Sequence, residues 1–123
     1  MNDSTIVLLI DDDHDVVLGA SLRLRAAGYE TLTAYDGQEG FATARDNHPD
    51  AIVLDVRMPR LDGLSALALL RKCEQTKNIP VIMVSASLVD QHAALDSGAR
   101  FFLTKPYHPK SLVAALESAM HKA

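Results

Sequence analysis

Short apolar runs alternate with helix-period stretches along the whole chain, and this alternation restricts the possible folds more than any other feature. Thr5 to Ile10 (TIVLLI), Ala51 to Leu54 (AIVL) and Val81 to Val84 (VIMV) are apolar almost throughout and rich in branched side chains. A strand with one face in water would alternate polar and apolar residues, so unbroken runs of this length read as strands buried on both faces. Glu30 to Ala34 (ETLTA) does alternate and is β-branched, which suits a strand nearer the sheet edge. Phe101 to Leu103 forms a last short strand, in which one phenylalanine faces the core and the other lies nearer the surface.

Between these strands the period changes to that of a helix. Val17, Ala20, Leu24 and Ala27 share one face, and Gly28 stops that helix. A second helix runs from Gly37 to Asn47 and stops at His48-Pro49. The Leu64, Leu67 and Leu70 stripe marks a third, and Leu88 to Ser97, closed by Gly98, a fourth. Leu112, Val113, Leu116, Ala119 and Met120 line a fifth. Five strand-helix units in this order require a parallel sheet with right-handed crossovers and helices on both faces. The expectation is a single α/β domain over residues 1–123, with no repeat, linker or low-complexity tract.

Composition narrows the function. A net charge of −4, with 12 basic residues scattered along the chain, argues against direct nucleic-acid binding, which needs clustered cations. No apolar run approaches a membrane span, and Met-Asn-Asp-Ser carries no basic n-region of a signal peptide. One cysteine, Cys73, allows no internal disulfide and suits a reducing compartment. These features lead us to expect a cytoplasmic protein with no membrane contact and no DNA-binding output domain of its own.

In open parallel sheets, sites form beyond the carboxyl ends of the strands. Here those ends carry Asp11-Asp12-Asp13, Asp55, Ser85 and Thr104-Lys105. Carboxylates that converge repel one another unless a cation joins them, and hard oxygen ligands suit Mg²⁺. Capping of the first helix explains Asp13 or Asp15 but not the whole triplet. A carboxylate such as Asp55, held against Mg²⁺ and a lysine, can receive a phosphoryl group, because both cations stabilise the oxygens in flight. The Ser85 hydroxyl can meet the same phosphoryl oxygens, Ala86 beside it keeps the approach open, and Lys105 supplies a point charge.

The segments VLLIDDDHDV, DAIVLDVRMPRLDG, IPVIMVSAS and GARFFLTKPYHP, in this order and spacing, resemble the receiver domain of two-component response regulators over essentially the whole chain. The resemblance implies a flavodoxin-like (βα)5 fold with strand order 2-1-3-4-5. It also implies that Asp55 is the phosphoacceptor and that Mg²⁺ is held by Asp11, Asp12, Asp55 and the backbone carbonyl of Arg57. Ser85 and Lys105 match the family's switch hydroxyl and its lysine, and Lys105-Pro106 is expected to be cis. Phe102 stands where the family's rotating aromatic is often tyrosine, so that side chain can switch by shape but not through a hydroxyl. Arg57 borders the path of the water that removes the phosphoryl group. The implied donor is a sensor histidine kinase or phosphotransfer protein, and phosphoryl loss is by slow autodephosphorylation. The implied output is a partner or output domain reading the surface of the fourth helix, fifth strand and fifth helix. The chain is expected as a monomer or weak phosphorylation-dependent dimer.

Two rival chemistries conflict with particular residues. A haloacid-dehalogenase-type phosphatase needs an acid two positions after its nucleophile, where this chain has Arg57. A flavodoxin-type flavin carrier needs a phosphate cradle where Asp11-Asp12-Asp13 would repel the ligand. A non-phosphorylated interaction module on the same fold would be favoured if the acid pair, acceptor or lysine were missing, and all are present. The five histidines have no metal-ligand spacing, and His14 reads as a solvated loop imidazole. Cys73 reads as an inert, partly buried thiol. Leu88, Val89, His92 and Leu95, with Phe102, read either as core packing or as a partner-binding surface.

Overall fold

A computed structural model describes residues 4–121. The Met1-Asn2-Asp3 part of the N-terminal reading and the final Lys122-Ala123 lie outside the described residues. The elements are β1 (Ile6–Ile10), α1 (His14–Ala26), β2 (Glu30–Ala34), α2 (Gly37–Asn47), β3 (Ala51–Asp55), α3 (Gly63–Lys72), β4 (Val81–Ser85), a 3-10 turn (Leu88–Asp90), α4 (Gln91–Asp96), β5 (Phe101–Thr104) and α5 (Pro109–Met120). All strand pairs are parallel, in the order β2-β1-β3-β4-β5.

The unbroken apolar runs are explained by the two faces of this sheet. Leu8 and Ile10 of β1, Ile52 and Leu54 of β3, and Val81 and Met83 of β4 enter one core with Ala44, Leu67, Leu70 and Ala94 of α2, α3 and α4. Their alternates, Val7, Leu9, Val53, Ile82 and Val84, enter the other with Val17 and Leu24 of α1 and Leu112 and Leu116 of α5. Each Val, Leu, Ile or Met among them contributes about 1.5–3 kcal/mol of burial, and no central strand has a wet face to alternate against. β2 at the edge is only partly covered, as its sequence suggests.

Local chemistry sets the element ends. Asp13, Asp36 and Asp62 cap α1, α2 and α3, each accepting backbone N–H groups of its first turn. Gly28 and Gly98 follow α1 and α4 with φ of +100° and +109°, a region costly for residues with a Cβ. The fourth helix is shorter than its apolar pattern suggests, because its first residues form the 3-10 turn and α4 begins only at Gln91. In β5, Phe101 is exposed and Phe102 packs against the α2/α3/α4 core. Leu88 and Val89 are 62% and 82% exposed, so this stretch is surface rather than core.

Candidate functional site

Register brings the acids together. Ile10 pairs with Leu54, so Asp11 and Asp55 are the next residues along two neighbouring strands. Asp55 is itself the last residue of β3 and pairs with Val84, which places Ser85 one step further along β4. Gly63 lets the chain fold back over this strand end: its N–H bonds the Val56 carbonyl at 2.8 Å, and a Cβ there would collide with the Asp55 carbonyl oxygen. Asp11 and Asp55 are buried and Asp12 is exposed. One carboxylate oxygen from each of the three lies within 4.8 Å of the others.

Lys105 enters from the loop after β5, anchored by its backbone N–H to the Ser85 carbonyl at 2.8 Å. Its ammonium donates to Asp11 Oδ2 at 2.8 Å and stands 3.4 Å from Asp55 Oδ1. Burial works against the charged amine, but the hydrogen bond and charge of Asp11, then those of Asp55, outweigh it and raise its pKa. Asp55 moves the other way for an acid. Burial, then the Asp11 charge, push its pKa from 3.8 up to about 6, against the partial relief given by Lys105 and the Arg57 backbone. Three carboxylates therefore face one ammonium, and Asp55 is reluctant to ionise. Clustered hard oxygens with uncompensated negative charge suit a divalent cation such as Mg²⁺.

The remaining residues singled out from sequence surround this cluster. Ala86 is exposed beside Ser85. The Lys105-Pro106 peptide is cis. Phe102 pairs with Met83, two residues before Ser85, so Phe102 and Ser85 face the same side of the sheet. His14 is exposed, but it is the first residue of α1 rather than a loop residue, and its ring stacks on Tyr35 at 3.8 Å between centroids. Asp13 serves as a cap and stands outside the acid cluster.

One participant is missing from the sequence reading. Asp90 accepts the Ser85 hydroxyl at 2.6 Å and both Arg57 Nε and Nη2 at 2.9 Å. Arg57, then Ser85, hold its carboxyl below the usual carboxylate range. The available signal was charge complementarity, with a cation two residues past Asp55 and an acid five past Ser85.

The family model of the response regulator receiver domain matches residues 7–117. The chain belongs to this family. It is 40% identical over 116 residues to the transcriptional regulatory protein PrrA of Mycobacterium tuberculosis, covering 94% of this chain and 50% of that protein. The chain spans about half the length of the curated relatives it matches. Among solved structures, a putative response regulator from Chloroflexus aurantiacus superposes with a TM-score of 0.93 at 31% identity, covering 98% of this chain and 100% of that one. The receiver domain of the sensor histidine kinase PA1611 from Pseudomonas aeruginosa, solved with magnesium in its active-site cleft, gives 0.88 at 28% identity, covering 96% and 98%. The receiver's strand order is the one found here, and no helix of the described residues is long and apolar enough to cross a membrane.

Proposed function

We propose that this receiver domain takes a phosphoryl group on Asp55 from the phosphohistidine of a sensor kinase or phosphotransfer protein, with Mg²⁺ held by Asp11, Asp12, Asp55 and the Arg57 carbonyl. The observation that carries the reading is Asp55 itself: a buried carboxylate at a strand end, sharing one lysine with Asp11 and lying within a few ångströms of Asp12. In the transfer, an Asp55 carboxylate oxygen forms a P–O bond while the P–N bond to imidazole breaks, and the departing imidazole takes up a proton. Lys105, placed between Asp11 and Asp55, neutralises oxygens of the moving phosphoryl group. Bound Mg²⁺ supplies the rest of that charge neutralisation.

The Ser85 hydroxyl then turns toward the phosphoryl oxygens, Ala86 leaves room for them, and Phe102 on the same sheet face follows. The exposed surface of α4, β5 and α5, including Leu95 and Phe101, together with Leu88 and Val89 of the adjoining 3-10 turn, carries the change to a partner or output domain in the cytoplasm. Loss of the phosphoryl group is by slow autodephosphorylation. Arg57, paired with Asp90, holds its protons too tightly to act as a general acid toward a leaving group, which favours an acceptor over a phosphatase. Acetyl phosphate with Mg²⁺ tests the reading. Intact mass should rise by one phosphoryl group that hydroxylamine removes, and Asp55→Asn should gain none. Equal uptake by Asp55→Asn would overturn it.

A further inference from the structure

We infer that Asp90 is a latch: an internal acceptor that holds the Ser85 hydroxyl and the Arg57 guanidinium in the unphosphorylated state and must release Ser85 before the phosphoryl group can engage it. The inference rests on the reading of Asp55 as phosphoacceptor and adds a residue to it. A serine hydroxyl has a single O–H to give. Here that O–H points to Asp90 Oδ2 at 2.6 Å, while the Ser85 oxygen accepts from the Ser87 backbone N–H at 3.1 Å. Ser85 is fully buried and bonded on both sides, so it cannot serve a phosphoryl oxygen without leaving Asp90.

The position of Asp90 shows where its carboxylate is committed. It occupies the N-cap position of α4, where an aspartate ordinarily accepts backbone N–H groups, yet its side chain makes no capping bond. Both oxygens turn instead to Ser85 and Arg57, and its side chain is 13% exposed against 66% for Arg57. The opposite end of α4 is fastened independently. Arg71 donates to the carbonyls of Ile79 at 3.0 Å and Gly98 at 3.1 Å, tying the turn after α4 to the loop before β4. Letting go of Asp90 therefore frees one end of the helix and leaves the other fixed. A phosphoryl group, with a charge of about −1.5 to −2, outcompetes a single carboxylate for both donors. The strength of the latch then sets how much of the phosphoryl interaction is left to stabilise the switched state.

Beryllofluoride, a phosphoryl mimic, tests this by titration at saturating Mg²⁺. Asp90→Ala should bind it about tenfold more tightly than the parent, the scale expected when a charge-assisted hydrogen bond no longer competes. Asp90→Asn, which preserves shape and a neutral acceptor, should fall between the two. In a Ser85→Ala background the Asp90→Ala gain should shrink by at least half, because no hydroxyl remains to be released. Unchanged or weaker binding by both Asp90 variants overturns the latch. So does an equal gain with and without the Ser85 hydroxyl, which would reduce the effect to removal of a nearby negative charge. A parent that binds no beryllofluoride overturns the acceptor reading of Asp55 and the latch with it.

Discussion

Replacing Asp55 with asparagine should stabilise the metal-free fold at neutral pH, although it removes the residue on which the proposed chemistry depends. Asp55 ionises at about 6 in the folded chain instead of 3.8, with burial and then Asp11 as the causes. Well below pH 3.8 the carboxyl is neutral whether the chain is folded or not, and it costs nothing. Between about pH 4 and 6 the unfolded chain loses this proton while the folded chain retains it, so folding stability falls as pH rises. Above about 6 the whole cost is present. At about 1.4 kcal/mol per tenfold change the ceiling is near 3 kcal/mol, which water at the open mouth of the site reduces to about 1–2 kcal/mol. Asparagine keeps the shape and one acceptor for Lys105 without the charge. Urea unfolding in EDTA should therefore show Asp55→Asn more stable than the parent at pH 7.5, with the two converging near pH 4. Added Mg²⁺ should close the gap by stabilising the parent alone. A variant less stable than the parent at pH 7.5 in EDTA would refute the reasoning, because the acid cluster would then not be under electrostatic strain.

Asp12→Ala should weaken Mg²⁺ binding more than about tenfold, as loss of a charged oxygen ligand from a small set does; isothermal titration checks this, and undiminished affinity would move the metal elsewhere. Gly63→Ala should destabilise the fold by about 2–3 kcal/mol, since its Cβ meets backbone rather than a yielding side chain; thermal unfolding within 0.5 kcal/mol of the parent, roughly the range of a neutral surface change, would contradict it. Ser85→Ala should still accept a phosphoryl group but transmit it weakly, so amide shifts from Leu88 to Leu103 on adding beryllofluoride should be smaller than in the parent. Equal shifts would rule out Ser85 as the coupling residue.

The strands were legible because β1, β3 and β4 are covered on both faces, which forces unbroken apolar runs that no loop or edge strand imitates. The positions Asp11, Asp12, Asp55, Ser85 and Lys105 were legible because a parallel sheet brings all its strand ends to one rim. Contacts made after the chain leaves those ends were not. Asp90 reads as an ordinary acid at a helix start, and only the folded loops bring it to Arg57, 33 positions away in the chain. The break between the 3-10 turn and α4 was hidden for a similar reason: the stretch from Leu88 to Ser97 keeps a helical pattern, while Asp90 turns its side chain outward from the helix it would cap. On α1, Leu18 and Leu22 lie off the face of Val17 and Leu24 that meets the sheet, and they are 59% and 57% exposed.

The central claim, that Asp55 is the residue phosphorylated, is tested most directly by locating the modification chemically. After reaction with acetyl phosphate and Mg²⁺, borohydride reduces an aspartyl phosphate to homoserine, a change that survives digestion and peptide mass spectrometry. The account expects homoserine at position 55, in the segment AIVLDVR, and nowhere else, with none in protein incubated without Mg²⁺. Homoserine at Asp11 or Asp12, or a phosphoryl group found on a histidine or serine, would contradict it.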